Sequence, residues 1–239
     1  MKGTPGSDTA RLAMPRALLL DLDGTLIDSA PDIAAALDRV LAARNLGPIP
    51  VAQVRRLIGH GIGRLVSDAF VRSGAPLAGD ALESAQQEMA AHYAAQLVAR
   101  TALMPGAADL VAFCAQAGIA MACVTNKPRR MAQDILRHFR VAPPISVIVG
   151  GDMGMARKPS PQPLLAALAQ IGVPNEAAWM VGDGLPDHRA ARAAQIVSVA
   201  VASGYGEPYD AAGEATIAVD SLDQVVELLR DLRQPAGRR

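Results

Sequence analysis

Short apolar runs recur along the chain, each four to six residues long: 17–20, 119–124, 145–149, 178–181, 196–201 and 216–219. Runs of this length, bounded by Gly, Asp, Asn or Thr, predict buried strands. Between them the apolar positions recur with helical spacing, which predicts helices over 107–116, 129–139, 161–170, 188–194 and 222–232. Strands that alternate with helices form βαβ units, so the fold class is α/β, a Rossmann-like, doubly wound parallel sheet. Residues 28–103 break this rhythm. Ile33, Leu37, Val40 and Leu41 repeat at i, i+4, i+7 and i+8, so a helix runs to about 44. Further helices are expected over 51–58, 64–72 and 80–99, with no strand candidate. The pattern therefore divides the chain into a leader (1–15), a sheet core (16–27 and 104–232), an inserted α-helical domain (28–103) and a short tail (233–239). An insertion behind the first strand lies over the carboxyl edge of the sheet, as a lid.

Parallel sheets place ligands outside the carboxyl ends of their strands. The residues that follow the runs are Asp21 and Asp23, Thr125-Asn126-Lys127, Gly150-Gly151-Asp152 and Gly182-Asp183. Asp21 and Asp23 stand two apart beside Gly24, where the chain can turn sharply. Such a pair could hold a divalent cation and present a nucleophile, or could be a solvated turn. Asp183, with Asp187 behind it, adds acids suited to a hard cation such as Mg²⁺. Asp187 could equally cap a helix starting at His188. Thr125 offers a hydroxyl, and Asn126 a backbone N–H, to a phosphoryl oxygen. A cluster of acids repels itself, and Lys158 is placed to offset that charge.

Composition narrows the partners. Lys plus Arg equals Asp plus Glu, 23 each, so no basic field points to nucleic acid. Aromatics are 3%, too few for base-stacking platforms. No run reaches the ~18 apolar residues of a membrane span, and residues 1–15, rich in Gly, Pro, Ser and Thr, lack the apolar region expected of a signal peptide. Cytoplasmic residence is expected, as monomer or homodimer. Cys114 and Cys123 match no zinc spacing and read as buried free thiols. The only lysines are Lys2, Lys127 and Lys158. Lys127 is either a substrate contact or a surface charge. Gly59-His60-Gly61-Ile62-Gly63 follows a helix rather than a strand, so it is not a dinucleotide loop. It is either a plain interhelical turn or a turn facing the site, in which case His60 and Arg64 are candidate contacts for a substrate carboxylate.

Asp21-x-Asp23-Gly24-Thr25-Leu26, Val124-Thr125-Asn126-Lys127, Lys158-Pro159 and Gly182-Asp183-x-x-x-Asp187 resemble the four ordered motifs of the haloacid dehalogenase-like hydrolases. The helical insertion resembles that family's first type of cap. Asp28-Ser29-Ala30-Pro31-Asp32, Ile58-Gly59-His60-Gly61, Gly150-Gly151-Asp152, Lys158-Pro159-Ser160-Pro161 and Gly204-Tyr205-Gly206 are similar, more narrowly, to bacterial phosphoglycolate phosphatases. At Gly184-Leu185-Pro186 the chain departs from the more polar residues usual there.

The resemblance implies a Mg²⁺-dependent phosphomonoesterase acting on a small phosphorylated metabolite. Asp21 would be the nucleophile and Asp23 the acid/base. The metal would be held by Asp21, the Asp23 backbone carbonyl and Asp183, with Asp187 orienting the site. Gly24, Thr125, Asn126, Lys127 and Lys158 would meet the phosphoryl group and substrate. A sugar-phosphate phosphatase, for instance for N-acetylmuramic acid 6-phosphate, and a β-phosphoglucomutase-like enzyme share these features. Dehalogenases do not need Asp23. Phosphonate hydrolases of the family use a lid lysine, and residues 28–103 contain none. A non-catalytic phosphate-binding protein would be expected to lack one of the acids or the lysine.

Overall fold

In a computed structural model of the chain, residues 12–206 and 215–233 are described. The expected leader and tail lie mostly outside this range. Six parallel strands form the central sheet. They are β1 (Ala17–Leu20), β4 (Ala120–Val124), β5 (Ile145–Val149), β6 (Ala178–Gly182), β7 (Val197–Val201) and β8 (Ile217–Val219). Their order across the sheet is β5-β4-β1-β6-β7-β8. The chain thus starts in the middle, moves to one edge, returns and moves to the other. The direction reverses between β1 and β6, which pair from Ala17↔Ala178 to Leu20↔Val181. In an open α/β sheet, ligands bind in the crevice at this switch point. The α/β expectation is borne out.

Leu18, Leu19 and Leu20 have no solvent exposure, because helices cover both faces of β1. Burial of each such side chain contributes about 1.5–3 kcal/mol. Helices α5 (Ala107–Ala117) and α9 (Leu222–Arg233), with α6 (Arg129–His138), pack on one face around Leu18, Leu20, Leu110, Ile135 and Leu229. Helices α7 (Gln162–Ile171) and α8 (Leu185–Ala193) cover the other, around Leu19, Val124, Leu164 and Met180. Trp179, expected in the core, is buried there, as are Cys114 and Cys123, both free thiols.

Four helices occupy the inserted segment: α1 (Ala30–Ala42), α2 (Val51–Arg55), α3 (Ile62–Arg72) and α4 (Gly79–Ala94). They enclose a separate apolar cluster that includes Leu37, Leu41, Val66, Phe70, Met89 and Tyr93. The segment is not wholly helical, contrary to expectation. Where the chain leaves and re-enters the sheet core, β2 (Ile27–Asp28) and β3 (Ala102–Leu103) pair antiparallel. Two residues per strand give no periodicity to read. Asp32 fixes the same crossing: its carboxylate accepts from the Arg100 and Thr101 backbone N–H groups and the Thr101 hydroxyl, at 2.8–3.0 Å. α2 stops at Arg55 and α4 at Ala94, each short of its expected end. α8 begins three residues earlier than expected, because Leu185-Pro186 forms its first turn rather than a loop. Among the described residues no helix is long and apolar enough to cross a membrane.

Candidate active site

The carboxyl ends of β1, β4 and β6 meet at one point. Asp21 continues β1, its N–H bonded to the Val181 carbonyl at 3.0 Å. Gly24 turns the chain with φ +86°, and its N–H bonds the Ile27 carbonyl at 2.8 Å. No side chain fits there, since a Cβ on Gly24 would land on the Asp183 carboxylate. The turn brings Thr25 Oγ1 within 2.7 Å of Asp183 Oδ1. Asp183 Oδ2 accepts from the N–H groups of Tyr205 and Gly206, at 2.7 and 3.2 Å. A Cβ on Gly204 would collide with the Asp183 side chain, and one on Gly206 with the Asp183 backbone carbonyl. Glycines at 24, 204 and 206 let two backbone segments converge on Asp183.

Asp187 lies in the first turn of α8, not ahead of the helix. Its Oδ2 accepts the Gly184 N–H at 3.1 Å, so it closes the helix start from within. Its Oδ1 accepts from Lys158 Nζ at 2.6 Å. The same ammonium reaches the Val124 carbonyl at 2.6 Å and Asp21 Oδ1 at 2.8 Å. One buried lysine therefore serves two acids, Asp21 and Asp187, and ligand oxygens of Asp21, Asp183 and Asp187 all lie within 4.8 Å of one another. Burial, reinforced by Asp187 and Asp183 against the pull of Lys158, raises Asp21 to about 7. Burial and Asp187 raise Asp183 to about 6, against the hydrogen bonds it accepts. For Lys158 burial opposes the charge, but Asp187 and Asp21 win and hold it above the usual lysine range. The ion contact does not give Asp21 Oδ1 a well-formed hydrogen bond, and that buried oxygen has no other partner. Three clustered buried carboxylates, only two of them paired with the ammonium, and an under-bonded oxygen fit a hard divalent cation.

Asp23 has a separate setting. Both its oxygens accept from Lys127 Nζ, and Oδ1 also takes the Ser29 hydroxyl in a short bond. Lys127 Nζ lies 4.7 Å from the centroid of the Tyr93 ring, delivered by α4. Lys127 is thus buried against Asp23, which removes the surface-charge reading. Thr125 is buried at the tip of β4, its Oγ1 accepting the Lys127 N–H at 3.2 Å. The Asn126 side chain is occupied: Nδ2 donates to the Gly59 and Lys158 carbonyls, and Oδ1 accepts the Lys158 N–H. It ties the helical segment to the sheet core.

His60 is exposed and lines the cleft over Asp21, Asp23 and Asp183. Arg64 is not brought to the site. It pairs with Asp68 at 2.7 Å on the open face of α3, its side chain 67% exposed. Helix phase explains the miss, since Ile62 and Leu65 turn inward to line the pocket and leave Arg64 outside. Sequence reasoning also missed Arg55, Ser29, Tyr93 and the Tyr205 hydroxyl. Ser29 and Tyr205 lay within quoted motifs, but no local signal showed what they touch.

A family model described as haloacid dehalogenase-like hydrolase matches residues 15–195. A phosphoglycolate phosphatase of Rhodospirillum rubrum is 40% identical over 230 residues, 95% of each chain. One from Xanthomonas campestris is 38% identical over 218 residues, covering 90% of this chain and 97% of the relative. Among solved structures, a predicted phosphoglycolate phosphatase from Haemophilus somnus superposes with a TM-score of 0.83 at 26% identity, over 91% of this chain and 99% of that one. CbbY from Rhodobacter sphaeroides, solved in complex with phosphate, gives a TM-score of 0.75 at 26% identity, over 89% and 96%. With its acids at the sheet's switch point and a family match spanning most of its length, the chain belongs to the haloacid dehalogenase-like hydrolases.

Proposed function

We propose that the protein is a Mg²⁺-dependent phosphomonoesterase that converts 2-phosphoglycolate to glycolate and phosphate through an aspartyl-phosphate on Asp21. The observation that carries this reading is the division of labour between two acids two residues apart. Asp21 faces Lys158 and the acid cluster, whereas Asp23 is held apart by Lys127 and Ser29. Phosphoglycolate phosphatases over most of the chain's length support the substrate.

An Asp21 oxygen attacks phosphorus in line, and the bond from phosphorus to the ester oxygen breaks. Asp23 protonates the departing alkoxide, then takes a proton from the water that cleaves the aspartyl-phosphate. Phosphate leaves and Asp21 is restored. Lys158 holds Asp21 in place and, with Thr125 and the Asn126 N–H, faces the transferring group. Asp21, the Asp23 carbonyl and Asp183 would bind Mg²⁺, with Asp187 fixing Lys158 beside them. When bound, the cation offsets repulsion between a carboxylate nucleophile and an anionic phosphate. Residues 28–103 act as a cap, presenting Ile33, Ile58, Ile62, Leu65, Met89 and Tyr93 to the site. That wall offers little to a sugar's hydroxyl groups.

Phosphate release from 2-phosphoglycolate, N-acetylmuramic acid 6-phosphate and β-glucose 1-phosphate, each with Mg²⁺, tests the assignment. The expected result is the highest kcat/KM for 2-phosphoglycolate. Preference for either sugar phosphate overturns the substrate, and no release from any ester overturns the phosphatase reading.

A further inference from the structure

Two chambers meet at Asp21 and Asp23, and Ile58 and Gly59 line both. The first is walled by aliphatic residues and Tyr93. Its ammonium, Lys127, is committed to both oxygens of Asp23 and stacked on the Tyr93 ring. The second is lined by Arg55, Arg56 and His60 from the helical segment and by Asp183 and Tyr205 from the core. Glycolate carries a carboxylate one methylene from the reacting oxygen. In the first chamber that charge would be buried against hydrocarbon, at high cost. In the second it meets the guanidinium groups of Arg55 and Arg56.

Arg56 and His60 are exposed, and Arg55 is half-buried. Its Nη2 donates to Asp28 Oδ2 at 2.8 Å, and its guanidinium carbon lies 5.8 Å from the centroid of the Tyr205 ring. The other Asp28 oxygen accepts the Tyr205 hydroxyl at 2.6 Å, and that hydroxyl accepts the Ala30 N–H at 3.0 Å. The Tyr205 N–H, in turn, holds Asp183. A guanidinium has five N–H donors in a planar fork, so a bond through one nitrogen leaves capacity for a carboxylate. A side chain already clamped loses little entropy on binding.

We infer that Arg55, held in place by Asp28 and Tyr205, is the specificity-determining residue that binds the carboxylate of the leaving group. This rests on the phosphoglycolate reading above. The readout is the ratio of kcat/KM for 2-phosphoglycolate to that for ethyl phosphate, which lacks the carboxylate. Arg55→Met lowers this ratio ~30-fold, the size of a lost charge-assisted hydrogen bond, mainly through KM. Arg55→Lys, which keeps the charge and loses the fork, falls between. Tyr205→Phe keeps its backbone bonds to Asp183 and lowers the ratio by loosening Arg55. Thermal unfolding confirms that each variant is folded. A ratio unchanged in Arg55→Met and Arg55→Lys overturns the inference while leaving the substrate standing. So does a fall seen only in Arg56→Met or His60→Gln. A wild-type enzyme with no preference for 2-phosphoglycolate over ethyl phosphate overturns the substrate reading itself, and the inference with it.

Discussion

Lys127 Nζ donates to both carboxylate oxygens of Asp23, at 2.6 and 2.8 Å. One buried ammonium clamps one carboxylate, and the ring of Tyr93 closes over it. Burial disfavours the charge on Lys127, but Asp23 and Tyr93 outweigh it and hold the amine above the usual lysine range. The pair joins the sheet core to α4 through a cation–π contact. Asp23 and Asp21 thus pair with two different ammonium groups.

Lys127→Met leaves Asp23 without its cation. Breaking a buried pair from one side costs about 3–5 kcal/mol. Urea unfolding measures that loss. Adding Asp23→Asn recovers part of it, because the orphaned charge is gone. No recovery in the double variant would show that the lysine stabilises by packing alone.

Lys158→Met removes the ammonium shared by Asp21 and Asp187. The variant is expected to be markedly less stable in EDTA and to regain a larger share of stability from Mg²⁺ than the wild type does. Thermal unfolding with and without the metal reads this directly. An equal Mg²⁺ increment in both proteins counts against a cation in the acid cluster.

The raised carboxyls fix the sign of a pH dependence. An unfolded Asp titrates at about 3.9, whereas folded Asp21 and Asp183 titrate at about 7 and 6. Between these values the folded chain binds more protons than the unfolded one, so stability falls as pH rises. Their contribution is complete below about pH 4 and lost as pH passes through 6 and 7. Metal-free protein is therefore expected to lose stability from pH 5 to pH 8. Mg²⁺ should stabilise it more at pH 8 than at pH 5.5, because the cation takes the deprotonated acids. A Mg²⁺ effect independent of pH contradicts this.

Gly24→Ala forces a side chain into a left-handed turn and onto Asp183. The expected outcome is a folded protein with Mg²⁺ affinity weakened at least tenfold, read by isothermal titration, as when a group that supports a ligand is displaced. Unaltered affinity would mean that the turn and Asp183 move independently.

Most of the sheet was legible because each central strand is buried on both faces and reads as an unbroken apolar run. The acids at its tips were legible because β1 and β6 adjoin at the switch point. Short-range sequence could not show the β2–β3 ribbon, whose strands are two residues long, or the early start of α8, hidden by a proline that suits a first turn. Arg64 looked like a site residue because it follows the glycines, yet each step along α3 rotates the side chain by ~100°, which turns Arg64 off the face that Ile62 and Leu65 share. Arg55 and Tyr205 were out of reach for another reason: their shared partner Asp28 is 27 positions from one and 177 from the other. The Lys127 clamp on Asp23 spans 104 positions, so only the folded chain brings it together.

The central claim is that Asp21 carries the phosphoryl group. Acid quenching during turnover of 2-phosphoglycolate with Mg²⁺, followed by borohydride reduction and peptide mass spectrometry, tests it most directly. Reduction of an aspartyl-phosphate yields homoserine, and the account predicts homoserine at position 21 and nowhere else. Phosphate release with Asp21 unmodified throughout, or homoserine at Asp23 or Asp183 instead, would contradict it.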